Sequence, residues 1–519
     1  MKSGIMLTAA GLAGIAVLVG QMYAGAQPHR EASRTQRFGD PCPLIGQGTP
    51  DLIVCRVSGI GEYGTVGGIS AYAIGTTSQN NSTGTVWLSW RDTGGCSNQH
   101  PVIAQNLFRL KDGRFEQIGM SWLKHGFCAA DSNLCGNCSN AAGCDWLGVG
   151  CADTYGSSLN GNQSLLGPRF EVNPVTGFFP FPHTAPTGNS TLRGRMLAEI
   201  NDINPALNPG ALYFVESQYI TPDDAGTVTA NNNNSYRPAS VGSLSGGIWN
   251  LSTTGSTHQQ DPAIQAWQDE DPSVTLDNID VANDGRFILG HRVTDNGDGT
   301  WHYEYALNNM NSDRGAGSFS VPIPACVTVT NEGFHDVFYH SGEPYDGTDW
   351  PGTVGGGEVS WSTETFAANP NANALRWGTM YNYRFDADSP PTPAIVEIGL
   401  FKTGLPVSVT ANAVGPTERI TNSPDLNGDG CTDSKDLTIL LGAWCSAVND
   451  PNPPSPPCEN CTQATLDVAD IGGEGGGPPD GCVDSSDLLK LLGEWCSDAG
   501  GNPCGTCFPP PSATGRARQ

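Results

Sequence analysis

Basic side chains are scarce in this chain. Lys and Arg together number 25 against 52 Asp and Glu, which leaves a net charge of −27 and a pI near 4.5. A surface so acidic repels phosphate backbones and anionic lipid, so nucleic acid and anionic membranes are excluded as partners. Long apolar runs are also missing beyond the first 20 residues, so no membrane span is expected in the mature chain. Long helical periodicity is absent from the body, which excludes a helical bundle. Nucleotide and hydrolase signatures are absent too: there is no GxSxG, no HExxH, no P-loop and no GxGxxG opening a helix.

What is plentiful is turn chemistry, with 67 Gly and 38 Pro. Between the turns lie strand-like runs: ALYFVESQYIT, VSWSTETF and AIVEIGLFK. RFILGHRVTDNGDGTWHYEYAL reads as a hairpin turning at DNGDG, and NLFRLKDGRFEQIGMSWL as one turning at Lys111–Arg114. LRGRMLAEINDI fits either strand or helix. The expected class is mainly β: one or two antiparallel β-sandwich domains followed by a small α-helical calcium-binding domain. The expected division is a signal peptide over 1–26, a linker over 27–40 and a Cys-rich β domain over 41–204. A β-sandwich over 205–413, a linker over 414–424, repeats over 425–507 and a loose end over 508–519 follow. Lys2, the apolar stretch Ile5 to Val19 and Ala24-Gly25-Ala26 carry the secretory expectation.

The C-terminal repeats hold the sharpest signal. DLNGDGCTDSKD places Asp425, Asn427, Asp429, Cys431 (by its carbonyl), Asp433 and Asp436 at the oxygen-ligand positions of a calcium loop, with Gly430 at the sharp turn. A plain Asp/Asn/Gly turn is the alternative. In the second copy Asp480, Cys482, Asp484 and Asp487 fill the later positions, and Asp470 supplies a first ligand from a longer loop. Each loop runs into one short helix. Leu437, Leu440, Leu441 and Trp444 form its apolar stripe, repeated by Leu488, Leu491, Leu492 and Trp495. One such helix cannot bury its stripe alone, so the two are expected to pack together. This loop-plus-helix pair, with Asp at position 12, resembles a type I dockerin. The resemblance implies calcium as the cofactor and a cohesin-like or cell-surface protein as partner of the tail. NQHPVIAQNLFRLKDGRFEQIGMSWLKHGF, LGPRFEVNPVTGFFPFP, GFHDVFYHSGEPYDGTDW and NALRWGTMYNYRFDADSPP resemble uncharacterised secreted planctomycete proteins that carry such repeats.

With export expected, the 17 cysteines read mainly as disulfides. Five fall between Cys128 and Cys151, Cys326 stands alone, and the tail holds two parallel sets of four. Zinc is the alternative for Cys135-x-x-Cys138 and for the tail CxxC pairs. Cys431 and Cys445 flank a helix of about three turns, which puts them too far apart to bond each other. Pairing with the other repeat, Cys431 to Cys496 and Cys445 to Cys482, is the hypothesis that follows.

In the body the densest polar constellation is Gly333 to Trp350. Glu343, Asp346 and His335 are its catalytic candidates, with Glu358 or Glu364 as a second carboxylate for glycoside cleavage. His340, Tyr345 and Trp350 are its ligand-binding candidates, suited to polysaccharide through aromatic stacking. A polar loop at a sandwich edge is the competing reading. His100 and His125 form a second pair, read either as a metal site or as two structural histidines. Three functions stay open: an extracellular binding or surface protein, a secreted carbohydrate-active enzyme, and a metal-dependent oxidase.

Overall fold

A computed structural model describes residues 44–91, 99–324, 327–338 and 343–417, together with 426–427, 431–443, 485–493 and 495 of the tail. Its body is built from antiparallel sheets. The largest has twelve strands. Along its main path run Leu52–Val66, Ile69–Asn80, Met196–Glu199, Arg114–Met120, Val102–Lys111, Leu212–Ile220, Asn234–Ser245 and Ile248–Thr253. The first strand packs back across the last three, so the sheet folds over its own core of Leu52, Val54, Tyr72, Ile74, Leu107, Val215 and Tyr219. The ambiguous LRGRMLAEINDI segment resolves as the strand Met196–Glu199 followed by the one-turn helix Ile200–Ile203.

The expected boundary at 204–205 falls inside this sheet. Leu212–Ile220 pairs along its length with Val102–Leu110, so the chain returns to the first module after residue 204. The change of module comes after His258–Gln259, through the helix Gln265–Glu270. Two five-stranded sheets follow. One runs Thr275–Asp280, Arg286–Asp295, Trp301–Asn309, Thr379–Ala387, Val329–His335; the other runs Gly352–Gly355, Glu358–Ser362, Ala316–Pro322, Pro391–Leu400, Ser408–Pro416. They face each other across Tyr303, Tyr305, Phe319, Trp361, Tyr383, Phe385 and Ile398, all fully or almost fully buried. Period-two alternation produces this: Tyr303 and Tyr305 point in, while His302 and Glu304 point out. Phe319 stacks on Tyr383 at 4.5 Å and Tyr303 on Phe385 at 4.8 Å between ring centroids. The last strand continues to Pro416, paired with Pro391, so residues 414–416 belong to the sandwich and not to a linker.

Both expected hairpins form. At Lys111–Arg114 the turn residues Asp112 and Gly113 have φ of 52° and 80°, the left-handed pair of a tight hairpin. At DNGDG, Asp295 and Asp298 each accept a backbone N–H two residues on, from Gly297 and Thr300, which makes the segment a turn.

The two modules share an apolar junction. Phe108, Phe115, Phe214 and Tyr236 of the large sheet meet Ile264 and Trp267 of the helical link and Ile288, Ala306 and Met380 of the sandwich. Arg169, 3 % exposed, anchors the polar part. Its guanidinium donates to the carbonyls of Ser121, Gln105 and Gly378 and to Asn106 Oδ1, spanning both modules.

In the tail the helices Ser434–Ala443 and Ser485–Gly493 share a small cluster, with Leu440 and Leu491 fully buried and Leu437, Leu488, Leu492 and Trp495 around them; Trp444 lies outside the described residues. Leu441 departs from the expected stripe: it is 54 % exposed. Among the described residues the buried line of the seam runs through Leu440 and Leu491, and Leu441 lies off it.

Candidate functional site

The Gly333–Trp350 segment leaves the sandwich at the end of Val329–His335 and crosses towards the large sheet. Of its described side chains, His335 and Glu343 bond to the first module, and Asp336, Asp346 and Trp350 bond within the sandwich. His335 Nε2 lies 3.3 Å from the Gln117 carbonyl of the first module. Asp336 accepts from Asn373 Nδ2, and burial pushes its carboxyl above the usual range. Glu343 Oε1 accepts the backbone N–H of Arg169 at 2.8 Å, at the start of the short helical turn Arg169–Glu171. The carboxylate end is enclosed, and burial raises its pKa to about 7 against the opposing pull of that backbone bond and the Arg169 charge. Asp346 accepts from Thr348 N and from Asn369 Nδ2 at 2.9 Å, and the same amide donates to Glu364 at 2.8 Å. Tyr345 stands under the Arg376 guanidinium, 4.1 Å from ring centroid to Cζ.

The aromatic candidates are core. Trp350 is 1 % exposed, stacks on Phe334 at 5.6 Å and donates its indole N–H to the Asn373 carbonyl. Trp361 is buried between the sheets, and Trp377 is buried with its N–H on the Val172 carbonyl. None of the three offers a face to a sugar. The expected carboxylate pair is also rearranged: Glu343 points into the module junction, Glu358 is exposed at the 355–358 turn, and it is Asp346 that meets Glu364. His340 lies outside the described residues.

His100 and His125 do come together. Their facing nitrogens, Nε2 and Nδ1, are 2.9 Å apart, the length of one hydrogen bond between rings. That geometry fits the reading as a structural pair sharing one proton. His183 stacks on His125 at 4.2 Å. Burial, then the His100 and His183 imidazoles, hold the His125 pKa well below its ordinary value. Beside them lies a group that sequence reasoning passed over. Lys124 is fully buried, donates to the His125 carbonyl and sits 4.2 Å over the Tyr155 ring. Burial pushes its pKa down to about 7, with Asp153 opposing. A lysine inside the apolar run SWLKHGF was the available signal.

Among the described residues, disulfides join Cys55 to Cys135, Cys128 to Cys144 and Cys138 to Cys151. They fit an oxidising, extracellular-type compartment. Cys135 and Cys138 are therefore bonded to different partners and form no zinc pair. Asp131 brings a carboxylate close to Cys138 and Cys151, but those sulfurs are bonded to each other. Cys326 lies outside the described residues.

In the first repeat, Asp433 and Asp436 cap the helix reciprocally. Asp433 Oδ1 accepts Lys435 N at 2.7 Å, and Asp436 Oδ2 accepts Asp433 N at 2.7 Å. Asp436 Oδ1 also takes the N–H groups of Leu426 and Asn427, which closes the loop around a fully buried carboxylate. These carboxylates are hard oxygen donors of the kind calcium takes, at the positions a calcium loop requires. Cys431 is disulfide-bonded. Asp425, Asp429, Asp470, Asp480, Cys482 and Asp484 lie outside the described residues, as does the side chain of Asp487.

Among described residues no helix is long and apolar enough to cross a membrane. No family model and no curated protein matches the chain. Solved structures show faint similarity, three of them as follows. The serine-rich repeat adhesion glycoprotein Srr1 from Streptococcus agalactiae is 8 % identical over 66 % of this chain and 88 % of its own, with a TM-score of 0.18. A partial N-terminal region of an enterococcal surface protein is 8 % identical over 70 % and 95 %, with a TM-score of 0.14. The B domain of a biofilm associated protein is 7 % identical over 70 % and 86 %, with a TM-score of 0.11. At such scores these likenesses carry no structural argument.

Proposed function

We propose that this chain is an exported, disulfide-stapled β protein whose body binds an extracellular ligand, with carbohydrate as its class. Its tail is a calcium-binding, dockerin-like attachment device for a cohesin-like or cell-surface protein. The observation that carries binding over catalysis is the place of Glu343. A glycosidase needs two carboxyl groups free to exchange protons with the sugar. Glu343 is spent on the Arg169 backbone N–H, where it ties the sandwich to the first module. Asp346 and Glu364 are both spent on the Asn369 amide. The tail reading is supported by the paired helices and by the Asp433–Asp436 closure.

A polysaccharide panel on the full chain tests this, recording polymer retention and released reducing sugar together, with and without chelator. Retention without release is expected. Sugar release, lost in Asp346→Asn or Glu364→Gln, would replace binding by hydrolysis. Oxidised sugar ends that vanish with chelator would replace it by the oxidase.

A further inference from the structure

The sandwich sheet that carries Trp301–Asn309 turns its aromatic side inward, so its outer face holds the alternate residues. At one end that face is apolar and docked on the first module through Ile288, Ala306 and Met380. At the other end it is charged. Register places Arg292, Glu304 and Arg384 in one row across three strands, with Thr294, His302 and Asp386 in the next. The Lys111–Arg114 turn of the large sheet leans over these rows, held by the Trp267 indole N–H on the Gly113 carbonyl at 3.0 Å. Between turn and sheet lies an open cleft of about 530 Å³, lined by Asp112, Arg292, Thr294, Asn296, His302 and Glu304 among others.

Its volume lies within the roughly 300–1,000 Å³ of small-molecule sites. Its walls are fixed. Arg292 Nε is held by Asp271 at 2.8 Å, and a Cβ on Gly113 would meet Arg292 Nη1 at 2.0 Å, so the glycine makes room for the guanidinium. Glu304 Oε2 takes Arg114 Nε at 3.0 Å and His302 Nε2 at 3.2 Å, while His302 Nδ1 lies 2.6 Å from Asp386. The cations of the cleft are thus matched by carboxylates. With Arg114 and Arg384 beside Glu304 and Asp386 beside His302, acidic and basic groups are balanced around the cleft, so it offers an anion no net attraction. What remains for a ligand is a set of short-range donors and acceptors: the outer N–H groups of Arg292, the Thr294 hydroxyl, the Asp112 carboxylate at the lip and the amide oxygen of Asn296, whose Nδ2 donates to Thr300 Oγ1 at 2.9 Å. Donors and acceptors set side by side in this way can bond neighbouring hydroxyls, each of which both donates and accepts. We infer that this cleft is the ligand site, and that it takes a neutral polyhydroxylated ligand, a short uncharged oligosaccharide. The inference rests on the binding reading above and gives it a place and a class.

Calorimetric titration of the full chain with neutral cello-, xylo- and manno-oligosaccharides tests it, with oligogalacturonate as the charged counterpart. Thr294→Trp fills the cleft from an exposed position, and Asp112→Gly removes the lip carboxylate while keeping the left-handed turn. At least one neutral oligosaccharide is expected to bind, with affinity falling about tenfold or more in each variant while thermal unfolding stays unchanged. Neutral binding that both variants leave intact would overturn the site and keep the binding reading. Tighter binding of oligogalacturonate would overturn the ligand class. No binding of any sugar, with polymer retention also lost, would overturn both.

Discussion

Replacing Glu343 by Gln separates a structural carboxylate from a catalytic one. In the unfolded chain this glutamate titrates near 4.5; enclosed against Arg169 it titrates at about 7. Below pH 4.5 it is protonated in both states and costs nothing. As the pH rises from 4.5 to 7 the unfolded chain loses its proton first, and folding forfeits the difference, about 3 kcal/mol from a shift of about 2.5 units. Above pH 7 the loss is complete and constant. Glutamine keeps an oxygen for the Arg169 N–H and removes the charge, at a cost of about 1 kcal/mol for the weaker acceptor. Glu343→Gln should therefore match or fall slightly below the wild type at pH 4 and exceed it by about 2 kcal/mol at pH 8. Urea unfolding of the body at a series of pH values, with calcium held constant, reads this directly. Glu343→Ala is the control: it strands the buried Arg169 N–H and should be destabilised by about 1–3 kcal/mol at pH 8. A Gln variant less stable than wild type at pH 8, or a difference independent of pH, would refute the reasoning. Polymer retention should be the same in Glu343→Gln and wild type, which a ligand-binding carboxylate would not allow.

Three further outcomes are expected. Lys124 has a folded pKa of about 7 against 10.5 when free, so its burial costs about 5 kcal/mol below pH 7, a cost relieved as the pH rises towards 10.5. Lys124→Met, after losing the bond to the His125 carbonyl, should stabilise the body by about 2–4 kcal/mol at pH 6, with the gain fading by pH 10 in the same urea assay. Trp350→Ala should cost about 3–5 kcal/mol of stability, yet leave the affinity of the folded fraction for its ligand unchanged, because the ring is core. Asp436→Asn should weaken calcium binding by the first repeat about tenfold or more, since a neutral amide replaces the charged oxygens at position 12; calorimetric calcium titration showing unchanged affinity would remove Asp436 from the ligand set.

Local features were legible because their causes are local. Asp112-Gly113 demands a left-handed hairpin turn whatever surrounds it, and both strands beside it follow. The alternation of RFILGHRVTD and WHYEYALNN sorts Tyr303 and Tyr305 from His302 and Glu304 without any knowledge of partners. Leu440 and Leu491 announce a shared helical seam by spacing alone. Pairing across distance was not legible, because hydrogen-bonding edges are alike and any strand can meet any other. Only the tertiary structure brings Leu212–Ile220 beside Val102–Lys111, bonds Cys135 to Cys55, and closes a cleft between a turn and a sheet face about 180 residues apart in sequence. The same holds for the chemistry of single groups. Glu343, Trp350 and Lys124 look functional, exposed or ordinary as letters; the dielectric around each one is set by residues far along the chain, and that decides which of them is cap, core or buried charge.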